Sequence, residues 1–115
     1  MSFAVEPRSE PGAVRVVVTG EVDLDTAPRM RRAFEQAVVA GEGQVLVDLG
    51  AVTFMDSAGL SALLAAHQAA GAAGVPFRLQ HVPDRVRSLI EITGLDAVLV
   101  ILPEPGDDLP TGTEG

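Results

Sequence analysis

The segment Gln44-Val45-Leu46-Val47-Asp48-Leu49 reads as a nearly continuous apolar strand of the kind buried on both faces of a sheet, and the residues after it decide the architecture. From Ser57 to about Ala73 the chain is rich in Ala and Leu. Leu60, Leu63, Leu64 and the stem of His67 fall on one helical face, until Gly71 and Gly74 weaken and stop the helix. At 1.5 Å per residue this helix is about 25 Å long. Val75, Phe77 and Leu79 then alternate with Arg78 and Gln80, the pattern of a half-exposed strand. Strand, helix, strand in immediate succession requires a parallel pair with a right-handed crossover.

Upstream of this βαβ unit, Val14-Arg15-Val16-Val17-Val18-Thr19 is β-branched and ends at Gly20, so it is a strand. Phe3 to Val5 is expected to pair with it as an edge, with Pro11-Gly12 in the turn. Asp25-Thr26 can cap a helix in which Ala27, Met30, Phe34, Ala37 and Val38 recur at spacings of three and four, ended near Gly41 and Gly43. On the C-terminal side, Pro83-Asp84 begins a third helix carrying Val86, Leu89 and Ile90 that stops at Gly94, and Ala97 to Leu102 supply a last apolar strand. The expected fold class is α/β, a mixed and mostly parallel sheet of four or five strands with helices packed on it. The domain spans residues 1–103. Residues 104–115 are Pro, Gly, Asp, Glu and Thr for the most part, too polar to offset ordering entropy, and are expected to form an acidic disordered tail.

Composition removes several function classes. The 115 residues suit one domain, and no apolar run approaches the roughly 20 residues of a membrane helix, so a soluble protein without membrane insertion is expected. Met1 to Glu10 lack the pattern of a secretory signal, which leads to the expectation of a cytoplasmic location. With no cysteine and two histidines far apart, neither a metal site nor a cofactor is expected. Eight arginines against sixteen acids give a net charge of -8, which repels a phosphate backbone, so direct nucleic-acid binding is disfavoured. Four of those acids come after residue 102, leaving 12 acids against 8 bases, a net of -4, in the body.

The chemically informative link is Val52-Thr53-Phe54-Met55-Asp56-Ser57-Ala58-Gly59-Leu60, which joins the end of the buried strand to the start of the long helix. Helix N-terminal N–H groups lack intrahelical partners and carry partial positive charge, so an anion on Ser57 should be accommodated there. Small Ala58 and Gly59 leave the hydroxyl open to an approaching enzyme. The plainer account is that Asp56 or Ser57 caps the helix. Glu21, Asp23 and Asp25 form an acidic loop that suits a solvated turn with Asp25 as cap, the alternatives being a bound cation or contact with a partner. Arg29, Arg31 and Arg32 make a small basic patch on the first helix, read as a solvated face. His67 and His81 are read as ordinary surface or boundary residues.

Asp56-Ser57-Ala58-Gly59-Leu60 resembles the Asp-Ser-Ser/Ala-Gly-Leu signature of the STAS domain, the fold of bacterial anti-sigma factor antagonists. Thr19-Gly20-Glu21-Val22-Asp23 is similar to that family's Gly-Glu-Leu-Asp segment. Val45 to Leu49 with Phe54-Met55 resembles its buried strand and approach, and Ser88 to Leu95 its late helix ending in Gly-Leu. The likeness runs from about Phe3 to Leu102. Two departures stand out: Ala58 replaces a second serine, and Ser61 stands where glycine is common, one helical turn beyond Ser57.

This resemblance implies a phosphorylation-switched binding protein and no catalytic residue. Its partner is an anti-sigma factor with serine kinase activity, and a phosphatase acts on phosphorylated Ser57. The implied phosphoacceptor is Ser57, and the implied partner surface comprises Asp56, Ser57, Ala58 and Gly59 with Glu21 and Asp23. A monomer is expected. STAS domains also serve transporters, so a soluble subunit of a lipid or anion transport system is the alternative. An enzyme using Asp56 or Ser57 as nucleophile would lack a plausible general base, a glycine-rich phosphate loop and metal ligands.

Overall fold

In the computed structural model, which describes Ser2 to Glu104, the β-branched run forms β2 (Ala13–Val22), paired antiparallel with the edge strand β1 (Ala4–Glu10). Three crossovers complete the chain: α1 (Ala27–Ala40) leads to β3 (Gln44–Met55), α2 (Ser57–Ala72) to β4 (Phe77–Gln80), and α3 (Asp84–Ile92) with a 3-10 turn at Leu95–Ala97 to β5 (Val100–Ile101). The strands lie side by side in chain order, β1-β2-β3-β4-β5, and all pairs after the first are parallel. The mixed, mostly parallel sheet read from the sequence is therefore the observed one. Because every parallel step moves the same way across the sheet, right-handed crossovers set the three helices on one face. Their buried residues join a single cluster with Val14, Val16, Val18, Val45, Val47, Leu49, Phe77 and Leu79.

Helix α1 buries the five residues its periodicity picks out, Ala27, Met30, Phe34, Ala37 and Val38. Phe34 meets Phe77 edge to face at 5.5 Å. Helix α2 buries Leu60 and Leu63 as its spacing predicts, but completes the face with Ala62, Ala66 and Ala70, while Leu64 is half-buried. Alanines at this seam let α1 and α2 pack against each other.

The other face of the sheet is polar. Arg15 and Arg78 flank Leu46 in register, and their stems leave it 7% exposed. Their heads are held by side chains on the same face: Arg15 donates to Glu10 at 2.7 Å and to Gln80, and Arg78 donates to Gln44 at 2.7 Å.

Several boundaries differ from those read in the sequence: β2 runs past Gly20 to Val22, β3 runs past Leu49 to Met55, and β4 begins at Phe77 instead of Val75. β1 continues past Val5 to Glu10, through Pro7, because β2 offers a partner for each residue and an edge strand tolerates a missing donor. β5 is only Val100–Ile101, since Leu95–Ala97 winds into a 3-10 turn whose end bonds back through Leu99 N–H to Leu95 O. Glu104, assigned to the tail, is held in place. It accepts the backbone N–H of His81 at 2.9 Å and lies 2.9 Å from His81 Nδ1, where a left-handed backbone (φ 56°) turns the chain. The remainder of the expected tail, 105–115, lies outside the described residues.

Candidate functional site

The two central strands β2 and β3 end together, with Glu21 beside Phe54 and Val22 beside Met55. Each then delivers its chain to a helix N-terminus, at the carboxyl ends of parallel strands where α/β folds place their sites. Asp56 donates its N–H to Val22 O at 3.2 Å, which ties the start of α2 to the end of β2. Its backbone is extended, and its Oδ1 accepts the N–H groups of Ala58 at 2.9 Å and Gly59 at 3.3 Å. Asp56 is thus the N-cap and Ser57 the first residue of the helix, exposed to solvent.

This cap corrects one expectation. The N–H groups of Ala58 and Gly59, expected to receive an anion on Ser57, are occupied by the Asp56 carboxylate, so a phosphoryl group there would sit beside a second negative charge with only the Ser57 N–H of the first turn left to it.

Gly59, expected in the partner surface, is buried. A Cβ at this position would lie 2.5 Å from Met55 Cγ and 2.9 Å from Val22 Cγ1. Its role is to let α2 close onto the ends of β2 and β3, while Ala58 remains half-buried and Ser57 exposed.

The acidic loop also differs from expectation. Thr26 is the N-cap of α1 but its side chain makes no cap bond. Asp23 organises the turn instead, accepting the N–H of Asp25 at 3.0 Å and of Thr26 at 3.1 Å. Thr26 Oγ1 accepts from Asp23 N–H and donates to Glu21 O, both at 2.9 Å. Asp25 is not the cap: Asp23 takes the N–H groups of Asp25 and Thr26 with its carboxylate and that of Ala27 with its backbone carbonyl. Half-buried Asp23 is therefore a structural acid, and Glu21 and Asp25 are the exposed ones.

The structure adds residues that sequence reading missed. Leu24 stands 78% exposed in this loop, and Phe54 is 48% exposed at the end of β3. Leu24, Ala27, Pro28 and Arg31 on one side and Ala58, Ser61 and Ala62 on the other enclose an apolar groove of about 370 Å³ between the N-terminal turns of α1 and α2. One signal was available: a leucine flanked by Asp23 and Asp25 in a loop is an apolar side chain with no core to enter. A larger groove of about 490 Å³ between β1 and α1 contains none of the site residues.

Among the described residues, no group of three or more His, Asp or Glu is arranged to hold a metal ion, and no helix is long and apolar enough to cross a membrane. His81 is engaged with Glu104, and His67 packs edge-on to Phe77 at 6.2 Å. Neither is placed at the site.

A five-stranded sheet with helices on one face, and an Asp-Ser pair opening the second helix where the central strands end, are the marks of a STAS domain. The family model described as "Mlab, STAS domain" matches residues 5–103, and the chain belongs to that family. Among curated relatives, an anti-sigma-B factor antagonist of Listeria monocytogenes is 37% identical over 89 residues, covering 76% of this chain and 77% of its own. An anti-sigma factor antagonist from Mycobacterium paratuberculosis has a similar crystal structure, with a TM-score of 0.81 and 29% identity over 98% of this chain and 96% of that one. The Bacillus cell fate determinant SpoIIAA in its phosphorylated form shares the fold, with a TM-score of 0.66 and 20% identity over 91% of this chain and 95% of that one.

Proposed function

We propose that this chain is an anti-sigma factor antagonist, a binding protein whose unphosphorylated form docks on an anti-sigma factor with serine kinase activity and so releases a sigma factor. The observation that carries the reading is the exposed Ser57 hydroxyl at the first position of α2, set beside Asp56 and adjoining the Leu24 groove and the exposed acids of the β2–α1 loop. The names of its relatives support the general role, and SpoIIAA, whose phosphorylated form has been solved, is an example of this fold bearing phosphate.

The chain performs no chemistry of its own in this scheme. Ser57 Oγ attacks the γ-phosphorus of ATP held by the kinase, the bond to ADP breaks, and the hydroxyl proton passes to a base on that enzyme. The product carries about -1.5 to -2 additional charge next to Asp56. With the N–H groups of Ala58 and Gly59 already taken by Asp56, that charge is added beside a carboxylate on the exposed surface the partner would meet. A loss of about 3 kcal/mol in binding is more than a hundredfold in Kd, enough to exchange partners. A phosphatase acting on phosphorylated Ser57 restores the binding form. Docking is assigned to Ser57, Asp56, Ala58 and Glu21, with Leu24 and Phe54 as the apolar contacts.

Incubation with ATP and each candidate anti-sigma factor kinase from the same genome, followed by mass spectrometric location of the phosphate, tests the scheme. One phosphate on Ser57 and loss of binding to that kinase are expected. Modification confined to Ser61, or none with every kinase, refutes it and moves the chain towards the role of a soluble subunit in a lipid or anion transport system.

A further inference from the structure

A phosphoryl group on Ser57 finds only the N–H of Ser57 itself uncommitted in the first turn of its helix. Asp56 already accepts from Ala58 and Gly59, at 2.9 and 3.3 Å, and Leu60 N–H donates to Asp56 O at 3.2 Å. A dianion so placed, with a carboxylate beside it, needs a cation from another element.

The three arginines of α1 differ in where they point. Arg29 lies over the Phe3 ring, 5.0 Å from its centre, and with Arg32 lines the groove against β1. Arg31 alone among them lines the groove shared with Ala58 and Ser61 of α2. Both helices return from parallel strands and so run the same way, and Arg31 and Ser61 each occupy the fifth position of their helix, one turn below Ser57. Helical side chains lean towards the N-terminus, so a long arginine stem on α1 can bring its head to the level of Ser57. At present its Nε donates to Glu35 at 2.8 Å, an i,i+4 pair with both side chains exposed. Pairs of that kind are weak, and a phosphate dianion competes well against a single carboxylate for a guanidinium.

We infer that Arg31 is the built-in counter-charge of phosphorylated Ser57: on modification it leaves Glu35, pairs with the phosphate, and swings across the mouth of the groove between α1 and α2. The inference rests on Ser57 being the phosphoacceptor. Its consequence is that the phosphoprotein masks its own apolar groove, so partner release draws on steric closure as well as on repulsion.

Phosphoserine installed at position 57 during translation, with no kinase involved, separates this test from the identity of the modifying enzyme. The second ionisation of the phosphate is followed by phosphorus NMR. A guanidinium in contact favours the dianion, so the apparent pKa is expected about half a unit lower than in the Arg31→Ala phosphoprotein. Arg29→Ala should leave it unchanged, and Glu35→Gln, which releases Arg31, should lower it further. Equal values with and without Arg31, or a larger effect from Arg29→Ala, overturn the clamp. A kinase that ignores Ser57 overturns the proposed function instead, and the titration of the installed phosphoserine still decides the ion pair.

Discussion

Substituting alanine at two glycines of one helix should move stability in opposite directions. At Gly59, the new Cβ falls 2.5 Å from Met55 Cγ, 2.9 Å from Val22 Cγ1 and 3.1 Å from Met55 Sδ. Val22 is fully buried and stiff at χ1, and Met55 is 7% exposed, so relief requires α2 to back away from the strand ends. Overpacking of this sort costs about 1–3 kcal/mol, and at most about 1 kcal/mol returns through the better helix propensity of alanine. At Gly71 nothing lies within 4 Å of the added carbon, and only the propensity gain, about 0.5–1 kcal/mol, should register. Thermal unfolding followed by circular dichroism, at about 4–8 °C per kcal/mol for a domain of this size, resolves the two signs. The Gly59→Ala protein should melt several degrees below wild type and the Gly71→Ala protein a few degrees above. A Gly59→Ala variant as stable as the parent would refute the close approach that presents Ser57 at the end of β3.

Asp56→Ala strips the acceptor from two N–H groups and should cost about 1 kcal/mol, measurable by urea unfolding, with Asp56→Asn recovering most of it. Ser57→Asp should be within about 0.5 kcal/mol of wild type in stability, as a substitution of an exposed side chain, while its binding to the proposed partner kinase falls in calorimetric titration; unfolding of this variant would argue against a surface switch. The side-chain bond from Arg15 holds the Glu10 carboxyl below its ordinary value of 4.5, and that with His81 does the same for Glu104. Folded-state values below the unfolded ones mean that this stabilisation is present above about pH 4.5 and is lost as pH falls through the depressed range. The melting temperature should therefore drop on acidification below pH 4.5, and Glu104→Gln should flatten part of that slope.

Much of the fold was legible because apolar periodicity is a strong signal where side chains are large. The buried face of α1 is the one its spacing names, and Val45, Val47 and Leu49 line the core as a central strand requires. Alanine carries little such signal, which is why the Ala62, Ala66 and Ala70 stripe of α2 was not distinguished from its exposed neighbours. The polar stretch Glu6 to Glu10 hid the length of β1, since its pairing is fixed by β2 and not by its own composition. Leu99 is buried while Val98 and Val100 are 44% exposed, a pattern that a run of apolar residues cannot disclose before the 3-10 turn is known. At the site, the cap at Asp56 and the exposure of Ser57 come from local sequence. The groove does not, because Leu24 and Arg31 come from α1 and its loop, and only the packing of α1 on α2 brings them to Ala58 and Ser61.

The anchorage of α2 has a consequence for the kinase proposed to modify Ser57. Asp56 is hydrogen-bonded to Val22 and Gly59 is wedged against Met55 and Val22, so Ser57 has no slack with which to enter a deep cleft as an extended strand. A modifying enzyme has to accept a whole folded surface, with a shallow and open catalytic face. Short synthetic peptides spanning the same residues should then be poor substrates however well their sequence matches, and specificity would reside in shape instead of in a linear consensus.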